Sequence, residues 1–144
     1  MAGNTGGSWD LIGAPWHLDD HIPAFPVPAG APEPACPPLP AGSPPSGMTL
    51  LYQAVADTVA RAARPLLLSG DCTTALGAVA GLQRRKRDVA VVRLDGHGDF
   101  NTPATTITGY LGGMPLAMLA GRAPRADLRP APAAAGGRQR RRAR

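Results

Sequence analysis

An α/β fold built on a parallel sheet is the class this 144-residue sequence predicts, and three observations predict it. Short aliphatic runs alternate with segments of helical periodicity in the order strand, helix, strand, helix, which calls for crossover connections and a sheet covered by helices. Two of the short runs end in loops rich in Gly and Asp, at the carboxyl ends of strands where ligands of such sheets bind. Finally, the composition is 44% hydrophobic but only 4% aromatic, so the core is packed by Ala, Leu and Val.

The elements follow in order. Trp9-Asp10-Leu11-Ile12-Gly13-Ala14-Pro15 reads as a first strand stopped by Gly and Pro. Residues 23 to 45 carry ten prolines, which remove backbone donors and fix φ, so this stretch reads as a linker or long loop. Over Met48 to Arg64, Leu50, Leu51, Ala54, Val55, Thr58, Val59 and Ala62 recur at helical spacing, with Thr49 or Ser46 as the candidate cap. Pro65 ends that helix, and Leu66-Leu67-Leu68 is a short buried strand. Ser69-Gly70-Asp71-Cys72-Thr73-Thr74 then turns into a second helix through Ala75, Leu76, Val79 and Leu82. Its end, Arg84-Arg85-Lys86-Arg87, complements the helix dipole and needs no nucleic acid to explain it. Val89 to Leu94 is the next expected strand, followed by a loop and a short helix around Pro115-Leu116-Ala117-Met118-Leu119.

Charge and cysteine content restrict the function classes. Residues 122 to 144 hold eight Arg against Asp127 alone, leaving seven basic and nine acidic side chains in residues 1 to 121. The basicity therefore belongs to a tail, read as solvated and disordered rather than as a nucleic-acid contact. Two cysteines, Cys36 and Cys72, form no disulfide framework. No apolar run reaches the roughly 18 residues that span a bilayer, and the start lacks a signal-peptide pattern, so a cytoplasmic protein with no membrane partner is expected.

Chemistry concentrates in Asp95-Gly96-His97-Gly98-Asp99-Phe100-Asn101-Thr102-Pro103. In an extended segment, residues two apart point to one side, so Asp95, His97 and Asp99 converge, and the glycines permit tight turns. Two carboxylates and an imidazole suit a divalent ion such as Mn, Mg or Zn. The preceding crossover brings Cys72 toward Asp95. His17 and His21, beside Asp19 and Asp20, read as surface polar residues and stay outside the site.

With Thr105-Thr106 and Gly109-Tyr110-Leu111-Gly112-Gly113-Met114-Pro115, these motifs resemble the arginase or ureohydrolase family, which includes arginases, agmatinases and formiminoglutamases. Its usual patterns are G-G-D-H, D-A-H-x-D-x-N-T-P and G-N-L-H-G-x-P, and Leu11-Ile12-Gly13-Ala14-Pro15 is similar to its first strand. The resemblance covers about residues 9 to 16 and 48 to 121. It implies a three-layer α-β-α arginase-like fold, present as an N-terminal fragment. The implied organisation is a first strand in 1–22, a Pro-rich linker in 23–47, a partial α/β domain in 48–121 and an Arg/Ala/Pro-rich tail in 122–144.

The resemblance also implies a metal-dependent hydrolase of linear amidines or guanidino compounds, acting on arginine or N-hydroxyarginine with a urea-type product. Family members hold two Mn ions that share a hydroxide nucleophile, the general two-metal arrangement with ions about 3.5 to 4 Å apart. By motif, Asp95 bridges the metals, Asp99 and Cys72 bind one and His97 binds the other, while Asn101, Thr106 and Thr108 lie near the substrate. Homo-oligomers are typical of the family.

Three departures accompany the match. Cys72 stands where most members have His; a thiolate is a softer ligand that also suits Zn, Fe or Co, and some N-hydroxyarginine hydrolases resemble this variant. Gly112 occupies the position of the usual active-site His, so no catalytic residue is assigned there, and Tyr110 replaces the usual Asn. The later S-x-D-x-D-x-x-D-P motif and a substrate-binding Glu are not in this sequence. The resulting expectation is an interrupted enzyme of impaired activity, with a non-catalytic metal-binding or interaction fragment as the alternative.

Overall fold

The computed structural model describes residues 8–34, 36, 44–85 and 88–123. The expected tail lies outside the described residues from position 124 onward, as do Lys86 and Arg87 of the basic run.

Strand β1 (Asp10–Ala14) lies parallel to β4 (Pro65–Ser69), in a register that pairs Asp10 with Pro65 and Ala14 with Ser69. Between them come a small antiparallel hairpin, β2 (Trp16–His17) and β3 (Asp20–His21), and helix α1 (Pro44–Arg61). A 3₁₀ turn, Cys72–Thr74, follows β4 and leads into α2 (Ala75–Arg84); a second 3₁₀ turn, Leu111–Gly113, leads into α3 (Pro115–Leu119). The mixture of helices with a parallel strand pair is the expected α/β class. Helix α1 starts at Pro44, ahead of both Thr49 and Ser46, so neither is the N-cap. Pro suits a first helical turn, because its missing N–H would have no partner there.

The core lies between the β1–β4 pair and the two long helices. Leu51, Val55 and Val59 recur every four residues on one face of α1 and are fully buried against Ile12, Ala14 and Trp16. Each such side chain contributes about 1.5–3 kcal/mol on burial. Helix α2 approaches α1 closely through Gly77 and Gly81. A Cβ at Gly81 would sit 2.6 Å from the Ala56 carbonyl oxygen and 2.8 Å from Val59 Cβ, so only Gly fits this contact. The basic end of α2 is tied to α1 as well: Arg84 pairs with Asp57, and Arg85 donates to the Ala62 carbonyl. These partners give the described part of the charge run a structural role.

Within the proline-rich stretch, residues 23–34 carry no helix or strand but lie against β1. Gly13 donates its N–H to the Pro32 carbonyl at 3.1 Å, and the Val27 methyls fill the space beside Gly13.

The expected strand Val89 to Leu94 does not form; residues 88–94 are irregular. A strand of a parallel sheet needs a ladder partner and covered faces. No such partner exists for this segment among the described residues, and Val92 and Leu94 are 86% and 93% exposed. Period-two alternation persists nonetheless, with Arg93 turned inward.

Candidate metal centre

The site is assembled from two loops. In the first, the Asp71 carboxylate caps the turn after β4, accepting the Thr73 backbone N–H at 2.6 Å and the Thr73 hydroxyl at 2.5 Å. Its other oxygen accepts the backbone N–H of Leu18 in the β2–β3 hairpin. Buried Thr74 donates to the Ser69 hydroxyl at 2.6 Å. These bonds fix Cys72 at the start of the turn, facing the second loop.

In the second loop, the two oxygens of Asp95 face different neighbours. Oδ2 accepts from the Cys72 thiol at 3.7 Å, whereas Oδ1 accepts the His97 backbone N–H at 3.0 Å and lies 3.8 Å from His97 Nδ1. Asp99 is buried and holds a left-handed φ of 43°, which Asp tolerates better than most residues. Its carbonyl accepts the N–H of Leu116 at 3.0 Å, anchoring the loop to the start of α3. Ligand atoms of Cys72, Asp95 and Asp99 all lie within 4.8 Å of one another.

Beside the two carboxylates sits a cation, Arg93. Arg93 Nη2 donates to Asp95 Oδ2 at 2.5 Å and also to Asp99 Oδ2, and Arg93 Nε is buried without a hydrogen-bond partner. Burial pushes the Cys72 thiol up from its ordinary value, Arg93 opposes that shift and Asp99 adds to it. The His97 N–H bond, aided by Arg93, holds the Asp95 carboxyl below its ordinary value.

Of the four expected ligands, the fold brings together Cys72, Asp95 and Asp99. The His97 side chain is 89% exposed and stands on the far side of the Asp95 carboxylate. The expected substrate contacts make bonds within their own loop: Asn101 Oδ1 accepts from Thr105 at 3.3 Å, Thr106 Oγ1 from the Gly109 N–H at 3.0 Å, and Thr108 Oγ1 from the Tyr110 N–H at 3.2 Å. Arg93 escaped the motif reading although the period that aligns residues 95, 97 and 99 also aligns 93. His17 reaches Tyr110, with Nε2 3.2 Å from Oη, a contact across 93 residues for which the sequence carries no local signal.

The donor set fits a divalent cation. One sulfur and two carboxylates suit Mn, Co, Fe or Zn, and the guanidinium among them marks a pocket that draws positive charge. No helix among the described residues is long and apolar enough to cross a membrane.

A sequence model of the Arginase family matches residues 26–135. The chain is 43% identical to an arginase of Brevibacillus brevis over 67 residues, which is 46% of this chain and 22% of that protein. It is 49% identical to an N(omega)-hydroxy-L-arginine amidinohydrolase of Streptomyces lavendulae over 51 residues, 35% of this chain and 19% of the relative. A mitochondrial arginase-2 of Mus musculus is 35% identical over 79 residues, 52% and 22% of the two chains. The matched part thus spans about a fifth of the length of these curated relatives. No solved structure matches. With its motifs in order and the family model matched over most of its length, the chain belongs to the arginase family.

Proposed function

We propose that this chain carries part of the centre of a metal-dependent hydrolase that cleaves a C–N bond in a linear guanidino compound of the arginine or N-hydroxyarginine type. The observation that carries the reading is the convergence of Cys72, Asp95 and Asp99 on one point beside a strand's carboxyl end. Cys72 and Asp99 would hold one divalent ion. Asp95 presents one oxygen toward Cys72 and the other toward His97, the arrangement a bridging carboxylate needs to reach a second ion near His97. Mn is the first candidate, and a thiolate ligand also admits Zn, Fe or Co. A bound ion supplies the charge that lowers the pKa of water toward neutrality. The surrounding fold is a three-layer arginase-like domain in the cytoplasm, with Asn101, Thr106 and Thr108 on the side where the substrate enters. The likeness to arginases and to an N(omega)-hydroxy-L-arginine amidinohydrolase supports this substrate class.

A second reading, a metal-binding or interaction module without turnover, is favoured by the exposure of Val92, Leu94 and Ile107. The deciding experiment loads the purified chain with Mn or Co and measures urea from arginine and hydroxyurea from N-hydroxyarginine. Product formation that disappears in Asp95→Ala supports the hydrolase. Metal uptake with no product from either compound supports the second reading.

A further inference from the structure

We infer that Tyr110 is a substrate-facing proton donor of this centre and that His17 is its positioning partner, an inference that rests on the hydrolase reading above. Three observations lead to it. The Tyr110 ring lies across Gly112: a Cβ there would be 2.5 Å from Tyr110 Cε1 and 2.6 Å from both Cζ and Oη. The phenol therefore occupies the space of a residue-112 side chain, and Gly112 is what admits it. Secondly, the turn carrying Gly112, which Tyr110 precedes, packs against the Cys72–Thr74 turn. Burial, with Asp71, Cys72 and Asp99 adding to it, raises Tyr110 above its ordinary value.

Thirdly, the phenol has a partner from a distant part of the chain. His17 Nε2 lies 3.2 Å from Tyr110 Oη, and the two rings are nearly parallel, at 19° with centroids 6.4 Å apart. The hairpin bearing His17 is itself fastened to the site, because the Leu18 N–H donates to Asp71, the neighbour of Cys72. One carboxylate thus sets the position of the thiol loop and of the imidazole.

The chemistry needs such a group. When water adds to the guanidino carbon, a C–O bond forms; as the C–N bond breaks, its electron pair goes to nitrogen, which must take up a proton to leave as amine. Tyr110 Oη delivers that proton and the proton shed by the attacking water returns to the phenolate, while His17 Nε2 holds the phenol in place. Water is the only co-reactant. General acids of this kind contribute typically 10²–10⁴-fold.

The test compares Tyr110→Phe, His17→Ala and Gly112→Ala with wild type in the Mn- or Co-loaded chain, reading kcat and KM separately and metal content by elemental analysis. Tyr110→Phe is expected to lower kcat about 100-fold, with KM within about threefold and metal content unchanged. His17→Ala is expected to lose kcat in the same direction and to recover part of it with added imidazole, a rescue that a purely structural role would not give. Gly112→Ala, which displaces the ring, is expected to behave like Tyr110→Phe; circular dichroism confirms that each variant folds. Wild-type turnover retained by Tyr110→Phe overturns this inference alone. A wild-type chain that turns over neither arginine nor N-hydroxyarginine overturns it together with the hydrolase reading.

Discussion

Gly70 is where sheet, hairpin and thiol loop meet, and its replacement tests how the fold positions the site. A Cβ at this position would run into the Trp16 carbonyl oxygen and lie 2.7 Å from Ile22 Cδ1 and 2.8 Å from the Trp16 carbonyl carbon. Ordinary carbon contacts begin near ~3.5 Å, so several tenths of an ångström must be recovered by moving backbone. Its φ is not left-handed, so close approach rather than conformational freedom demands glycine. Overpacking of this kind costs about 1–3 kcal/mol. The stiffer unfolded chain returns about 0.4–1 kcal/mol of that. Gly70→Ala is therefore expected to lose roughly 1–2 kcal/mol, which at a urea slope near 2 kcal/mol per molar lowers the unfolding midpoint by roughly 0.5–1 M. Gly96, inside the motif loop, has nothing within 4 Å of its Cβ position, and Gly96→Ala should leave the midpoint unchanged or slightly raised. Equal midpoints for the two variants would refute the reasoning.

Other substitutions probe the core, the hairpin and the resident cation. Leu51→Ala removes a fully buried side chain from the α1 face and should cost about 2–5 kcal/mol, read as a lower thermal midpoint. Leu18→Gly relieves a left-handed φ of 55° and should stabilise by about 1 kcal/mol in the same assay. Arg93→Met removes the guanidinium that a metal ion must displace from Asp95 and Asp99, so Co affinity measured by calorimetry should rise about 10-fold, which is about 1.4 kcal/mol. An unchanged or weaker affinity would mean that Arg93 does not compete for the site.

Much of the fold was legible because its signals are local. The four-residue recurrence of Leu51, Val55 and Val59 marks α1, although the helix ends at Arg61 and Pro65 opens the strand instead of stopping the helix. Leu66-Leu67-Leu68 marks the strand that pairs with β1, with Leu66 exposed where a buried strand was expected. Cys72 does approach Asp95, but not by the expected route: residues 88–94 form no strand, and the thiol meets Asp95 from the turn that leads into α2. Val89 to Leu94 carries a strand-like composition, but ladder formation depends on partners that no local pattern reports. His97 lies apart from Cys72 and Asp99 because Asp95 accepts its backbone N–H and the chain turns there, breaking the extended alternation. Neither His17 beside Tyr110 nor Val27 against Gly13 has a signature in its own neighbourhood; both arise from tertiary closure.

The central claim is that Cys72, Asp95 and Asp99 together hold a divalent ion, and Co binding followed by absorbance tests it most directly. A thiolate bound to Co gives an intense charge-transfer absorption that carboxylate ligands do not. Titration of the chain should produce that band and saturate, with the band lost in Cys72→Ser and binding weakened in Asp95→Asn and Asp99→Asn. Absence of the band at saturating Co, or a band that survives Cys72→Ser, would contradict the account.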